Sequence, residues 1–391
     1  MERKVCIIAG GMSRWGAREG SQRDFFQEAA KACYEDIPGL NPKDIDGLLV
    51  ASAMTERTSY QTHLAPLVAE NVGVQPKNLC ARVELLCGSG SSAIILAFAM
   101  IKAGQADVVM VVGGEKLNTP QKWETFYSQL ASVDHDWDGP QGIGLPPPAF
   151  AMMAKLHMKK YGTRKEHLAA VTVKNRRNAS RNPKAQFQTP VSLQEALEGR
   201  MVVPPLTLYD CCPITDGAAA VILAGKEIAK DLTDKPLVYI RGTAQASLSN
   251  MSANIPNLTT WDSLRIAAKQ AYGKAGIGPQ DVDVAMTHDC FTISEIIEME
   301  DLGFCEKGEG GRFVFEGQND LGGQVPTNTD GGLLGCGHPF GGTGIRQGLE
   351  VMKQLRGDAV QQVPDASIGL THNLSGLIAA HTLVVYGKEA A

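Results

Sequence analysis

Residues 29–50, AAKACYEDIPGLNPKDIDGLLV, recur in altered form at 267–286, AAKQAYGKAGIGPQDVDVAM. Each copy holds an alanine-rich helical pattern, a Gly/Pro break, a P-x-D-[IV]-D turn and an apolar strand-like run. The parallel continues downstream. Each copy is followed by a Gly/Ser/Thr-rich turn that enters a helix, at Cys87–Ser92 and at His338–Gly344, and each of those helices leads into an apolar strand. The economical reading is an internal duplication: two similar α/β halves packed together, with a site buried between them.

Working outward, strand-like runs fall at Val5–Ala9, Asp46–Ala51, Asp107–Val112, Ala218–Leu223, Leu237–Ile240, Val282–Thr287, Ser367–Thr371 and Leu377–Val385. Several are apolar without interruption, as strands covered on both faces should be. Helical patterns lie between them, at Asp24–Tyr34, Tyr60–Asn71, Ser91–Ala103, Leu264–Ala275, Ile293–Leu302 and Ile345–Leu355. The alternation predicts a layered α/β core.

Residues from about 116 to 205 break this rhythm and read as a partly helical insertion in the first half. The expected division is 1–117 with 206–246 for the N-terminal half, 118–205 for the insertion and 247–391 for the C-terminal half. The insertion is basic, with Lys155, Lys159, Lys160, Arg164, Lys165, Lys174, Arg176, Arg177, Arg181 and Lys184. Those cations form either a solvated helix face or a landing surface for a phosphorylated ligand.

Composition narrows the function classes. The chain has 391 residues, 43% apolar and 20% charged, with a net charge of −5. Nothing in that balance favours nucleic acid or an anionic membrane. No stretch nears the ~18 apolar residues of a transmembrane helix, and the start does not read as a signal peptide. The nine cysteines are unevenly spaced without a CxxC pair. This opposes a zinc ribbon and fits a reducing cytoplasm.

Three segments could carry chemistry. In ELLCGSGSSAI (84–94), Cys87 ends a strand-like run and precedes an apolar helix. The positive end of a helix dipole favours thiolate, so Cys87 is either a nucleophile with a lowered pKa or a packed structural cysteine. In CGHPFGGTG (336–344), the Gly-Lys-Ser/Thr ending of a phosphate loop is missing. Pro339 and the glycines instead aim the imidazole of His338, a base for a nearby thiol. In THDCF (287–291), His288 and Cys290 lie between a strand and a helix. They could ligate a metal, but two donors without an obvious third make a proton-moving thiol the better reading.

Taken together, ELLCGSGSSAI, DCCPITDGAAAVILA (210–224), HDCF (288–291), NTDGGLLGCGHPFGGTG (328–344) and NLSG (373–376) resemble the thiolase superfamily over essentially the whole chain. His-Asp-Cys-Phe stands where general thiolases have Asn-Glu-Ala-Phe, and NLSG replaces their late Cys-x-Gly. Both departures are similar to the sterol-carrier-protein-type branch. The resemblance implies the thiolase fold, an αβαβα core of two similar halves with an inserted loop subdomain. It implies CoA-dependent thiolytic cleavage of a 3-oxoacyl-CoA, or the reverse Claisen condensation, through an acyl-cysteine.

In that scheme Cys87 carries the acyl group, His338 activates that thiol and helps stabilise an enolate-type oxygen, Cys290 moves the α-carbon proton and His288 contributes to the oxyanion site of the carbon–carbon step. Backbone amides of Cys87 and Gly376 form the second oxyanion site. The substrates are CoA and acyl-CoA, with no tightly bound cofactor and no metal, and the insertion is the candidate CoA-binding segment. A homodimer or homotetramer is implied. Stand-alone members of the branch, benzoylsuccinyl-CoA thiolase among them, also imply a small OB-fold and zinc-ribbon partner. Trp123, Phe126, Tyr127, Trp137 and Phe150 either shape a pocket for a bulky acyl group or simply pack. The alternatives are acyl transfer to another carbon nucleophile, retro-aldol cleavage, which Cys87 argues against, and a non-catalytic CoA-binding subunit.

Overall fold

The computed structural model describes residues 3–119, 125, 132–141, 145–249 and 254–391. Its first half runs β1 (Val5–Met12), α1 (Gln22–Asp36), β2 (Gly47–Ala51), β3 (Leu79–Val83), α2 (Ser89–Lys102) and β4 (Val108–Glu115). Two helices follow, α3 (Pro146–Tyr161) and α4 (Lys165–Arg181), and then a short antiparallel pair, Met201–Val203 with Leu206–Thr207. β5 (Gly217–Gly225) returns to the sheet. The second half runs β6 (Val238–Ser247), α5 (Asp262–Ala275), β7 (Val284–Met286), α6 (Thr292–Asp301), α7 (Phe340–Arg356), β8 (Ile368–Ser375) and β9 (Ala380–Gly387).

The sheet order is β3-β2-β4-β5-β1-β6-β9-β8-β7. Read outward from the middle, β1-β5-β4-β2 and β6-β9-β8-β7 are one pattern used twice. In each half the first strand pairs antiparallel with the last, the last pairs antiparallel with the strand before it, and the outer pair is parallel. β1 meets β6 only at Cys6–Tyr239 and Ile7–Val238. β6 otherwise pairs along its length with β9. By hydrogen bonding it therefore belongs with the second half, not with the 206–246 segment expected of the first.

Strand alternation explains the layers. On β1, Cys6 and Ile8 face α1, while Val5 and Ile7 face inward to α2 and α7. β9 does the same, with Val384 and Tyr386 turned to the central helices and Leu383 and Val385 to the layer that holds α5 and α6. Outer helix, half-sheet, central helices, half-sheet, outer helix is the αβαβα order. The outer helices suit their places. α1 opens with a Ser21/Asp24 capping box and buries Phe25, Phe26, Ala29, Ala30 and Cys33 at helical spacing. α5 buries Leu264, Ala267, Ala268, Ala271 and Ala275, and stops at Gly276 with φ +67°.

Two central helices can cross this closely only because glycines meet in their first turns. A Cβ at Gly90 of α2 would lie 2.8 Å from the Gly341 carbonyl oxygen of α7. One at Gly344 would lie 2.5 Å from both the backbone nitrogen of Ser91 and Asn373 Oδ1. The glycine runs are contact surfaces between helix ends.

Two expectations fail locally. The run 377–385 is not one strand, because 376–379 form the β8–β9 turn, with Gly376 at φ +61° and Ile378 at φ +54°. β3, of sequence LCARV, is absent from the expected strands; it is an edge strand whose residues are exposed or half-buried.

Candidate active site

The two equivalent turns deliver Cys87 and His338 to each other. Cys87 sits in the 3₁₀ turn Leu86–Gly88 just before α2, and Leu86 takes the left-handed conformation at φ +46°. Such strain in a non-glycine residue clusters at functional sites. His338 precedes Pro339, the N-cap of α7. His338 Nε2 lies 3.2 Å from Cys87 Sγ, and its Nδ1 lies 2.7 Å from Thr343 Oγ1. The Thr343 hydroxyl donates to the Pro339 carbonyl at 3.1 Å, so it accepts from Nδ1–H. That leaves the lone pair of Nε2 facing the thiol. Thr215 Oγ1 accepts the His338 amide at 2.9 Å and anchors the backbone.

Protonation follows from burial. The Cys87 thiol is pushed well above its ordinary value by burial first and neighbouring Cys290 second. His338 is brought down to about 3 by burial and then by the Arg346 cation. The resting pair is therefore thiol and neutral imidazole. This corrects the expected dipole-stabilised thiolate: desolvation of the charged form outweighs the helix terminus.

His288 and Cys290 come from the loop between β7 and α6. His288 is buried, with its ring 4.9 Å from that of His338 and nearly perpendicular to it. Its Nδ1 lies 3.1 Å from Asn373 Nδ2, and its backbone amide donates to Glu298 Oε2 at 3.1 Å. Burial, and then His338, lower its pKa well below the usual value. Asp289 braces the loop by accepting the amides of Leu333 and Leu334 at 2.7 and 3.0 Å. Cys290 Sγ lies 3.6 Å from Ser294 Oγ, and burial followed by Cys212 keeps its pKa well above the ordinary range.

All four side chains, together with Gly376, line one cavity of about 350 Å³. Ser375 Oγ donates to the Leu85 carbonyl at 2.7 Å, which ties the β8–β9 turn to the Cys87 turn. Donor atoms of Cys87, His288 and His338 lie within 4.8 Å of one another, close enough for an ion. The imidazole lone pair already facing the thiol suits proton transfer instead.

The rest of the lining is mostly apolar, with Met54, Leu86, Leu208, Pro213 and Phe340 among it. Phe150 reaches the cavity stacked on Phe291 at 4.4 Å. Trp137 is 54% exposed and does not line it. Trp123, Phe126 and Tyr127 lie outside the described residues.

The basic stretch splits in two. Lys174 is buried, paired with Glu295 at 2.8 Å and bonded to the Thr327 carbonyl at 2.8 Å, so it is no landing site for a ligand. Arg177 is paired with Asp320, and Arg176 stacks on Phe187. Lys155, Lys159, Lys160, Lys165 and Lys184 are exposed. The cation on the cavity wall is Arg200, which sequence reasoning passed over because nothing nearby marks it. Cys212, Thr215, Thr343 and Asn373 were also assigned no role, although each lies in a quoted motif; their partners are too far along the chain to be read.

Comparison with known proteins agrees with this architecture. Residues 5–227 match the family model described as thiolase, N-terminal domain, and residues 244–388 the one described as thiolase C-terminal domain-like. The chain is 40% identical over 376 residues to an acetyl-CoA acetyltransferase of Methanothermobacter thermautotrophicus, covering 96% of this chain and 97% of that one. It is 35% identical over 400 residues to human sterol carrier protein 2, covering 98% and 72%. A solved structure titled Ltp2-ChsH2(DUF35) aldolase superposes with a TM-score of 0.84 at 28% identity, covering 99% and 98%. Among the described residues, no helix is long and apolar enough to cross a membrane.

Proposed function

Because the chain belongs to the thiolase superfamily, on its sterol-carrier-protein-like branch, we propose a residue-by-residue division of labour for its chemistry. The chemistry itself is CoA-dependent acyl transfer of the thiolase type, with CoA and acyl-CoA as substrates.

In the cleavage direction, Cys87 Sγ attacks the 3-oxo carbonyl of a 3-oxoacyl-CoA as its proton passes to His338 Nε2. The C2–C3 bond breaks, the acyl group stays on Cys87, and its electron pair leaves on the acetyl-CoA enolate. Cys290 protonates that enolate at C2, and His288 hydrogen-bonds its oxygen. CoA then attacks the acyl-cysteine as its thiol proton passes to the Cys290 thiolate left by that protonation. The tetrahedral oxyanion is held by the amides of Cys87 and Gly376, and the Cys87 sulfur leaves and takes back the proton that His338 has held. Condensation is the same path reversed.

The observation that carries this reading is the 3.2 Å contact between Cys87 Sγ and His338 Nε2, in a cavity that Cys290 also lines. The raised pKa of Cys290 supports it, since a proton donor must hold its proton at neutral pH. Mass spectrometry after incubation with a panel of acyl-CoAs is the test. Acylation of the Cys87 peptide is expected, and the acyl group that loads best narrows the substrate. Carbon–carbon cleavage without any acyl-enzyme would favour the retro-aldol reading instead, to which the aldolase-titled relative lends weight.

The same proposal extends to partners. The edge strand β3, with exposed Leu79 on it, and exposed Leu96 on α2 suit pairing with a second copy. Leu96→Glu would then yield monomers by size-exclusion chromatography, and an unchanged elution volume would count against it. The two-component name of the aldolase relative supports a small second protein, to be sought by co-purification. Nine free cysteines suit a reducing cytoplasm.

A further inference from the structure

We propose that Asn373 is a positioning residue that fixes the tautomer of His288, keeping a proton on the imidazole nitrogen turned away from it. This rests on the role assigned to His288 above. Asn373 stands on β8, is fully buried, and spans two partners. Its Oδ1 accepts the hydroxyl of Ser91, on the first turn of α2. With Oδ1 so engaged, Nδ2 is the end of the amide that faces His288 Nδ1, 3.1 Å away, and donates to it. An imidazole that accepts at Nδ1 and is held neutral by its surroundings carries its one proton on Nε2. His288 then offers an N–H donor into the cavity, the group an enolate oxygen needs, without becoming a cation. The opposite tautomer would present a lone pair to that oxygen and repel it.

The two cavity histidines are therefore wired in opposite senses. His338 has its proton on Nδ1, toward Thr343, and a bare Nε2 toward Cys87. His288 has the bare nitrogen toward Asn373. One is a base and the other a donor, and both are neutral at rest. The charged and titratable groups around His288 are Cys87 before α2, His338 and Arg346 around and on α7, His372 on β8, His381 on β9, Glu298 on α6, and Asp289 and Cys290 beside it in the chain.

Asn373→Asp tests the wiring. A carboxylate accepts but cannot donate, so it draws the proton of neutral His288 to Nδ1 and empties Nε2. Acetyl-CoA loading of Cys87, which breaks no carbon–carbon bond, should stay within about threefold of the parent. Thiolysis of acetoacetyl-CoA at pH 8 should fall about 100-fold, the usual cost of an oxyanion donor. It should then recover as pH falls, because the carboxylate favours an imidazolium that again carries Nε2–H.

Ser91→Ala, which unpins the amide without adding charge, should show the same split in milder form and keeps the test open if the aspartate variant does not fold. Independently of activity, ¹⁵N histidine spectra of the parent should place the His288 proton on Nε2, with the signal assigned by its loss in His288→Asn. Proton density on Nδ1, or equal loss of loading and thiolysis in both variants, overturns the inference. Unimpaired thiolysis in His288→Asn removes the role of His288 itself and the inference with it.

Discussion

Cys87 and His338 stand 251 positions apart in the chain and 3.2 Å apart in space, at the same turn of the two repeated halves. The duplication thus presents one turn twice, once with a sulfur and once with an imidazole, and the crossing of α2 and α7 brings the two copies together. Their interdependence gives the first prediction. Cys87→Ala should abolish acyl-enzyme formation. His338→Ala should leave the thiol in place but slow loading by about 10²–10⁴-fold, the usual worth of a positioned base. Rapid-quench mass spectrometry reads both, and loading of His338→Ala at the parent rate would remove His338 from its role.

The protonation state predicts a pH profile. A thiolate–imidazolium pair would alkylate at a constant rate across pH 5 to 8. Here the thiol is raised above its ordinary value of 9.0 and His338 sits at about 3, so the thiolate is a small fraction at neutral pH and grows with each unit. Iodoacetamide labelling of the Cys87 peptide should rise about tenfold per pH unit and continue past pH 9. A plateau below pH 8 would establish the ion pair instead.

Gly344→Ala probes the helix crossing. Its methyl would lie 2.5 Å from both the Ser91 backbone nitrogen and Asn373 Oδ1, so α7 must shift and carry His338 with it. A loss of about 1–3 kcal/mol in denaturant titration is expected, with a larger proportional loss of turnover than of stability. Parent-like values in both would mean that the crossing tolerates more than its geometry implies.

Two cations from the same stretch of chain should behave oppositely. Lys174→Ala strands Glu295 in the interior and should cost about 3–5 kcal/mol. Arg200→Ala, at an exposed site on the cavity wall, should leave the melting temperature alone. It should raise KM for CoA more than it lowers kcat, because it removes attraction for the anionic substrate and no reacting group. A fall in kcat at constant KM would move Arg200 from binding to chemistry.

Much of this protein was legible before any coordinates. The repeat, the alternating strands and the glycine-flanked His338 follow from local rules, because turn chemistry and side-chain periodicity act over a few residues. Three-dimensional packing decided what depends on distant neighbours. It placed Lys174 in the interior and Arg200 at the cavity, although both are simply basic in the sequence. It reversed the expected thiolate, since a helix terminus is a local feature while desolvation sums over everything packed around the sulfur. It also supplied Thr343 and Asn373 with the partners that orient the two imidazoles. The chain alone determines which groups exist and how each backbone turn aims them; only the folded interior sets their partners and their charge, because hydrogen bonds and dielectric surroundings are properties of space and not of sequence order.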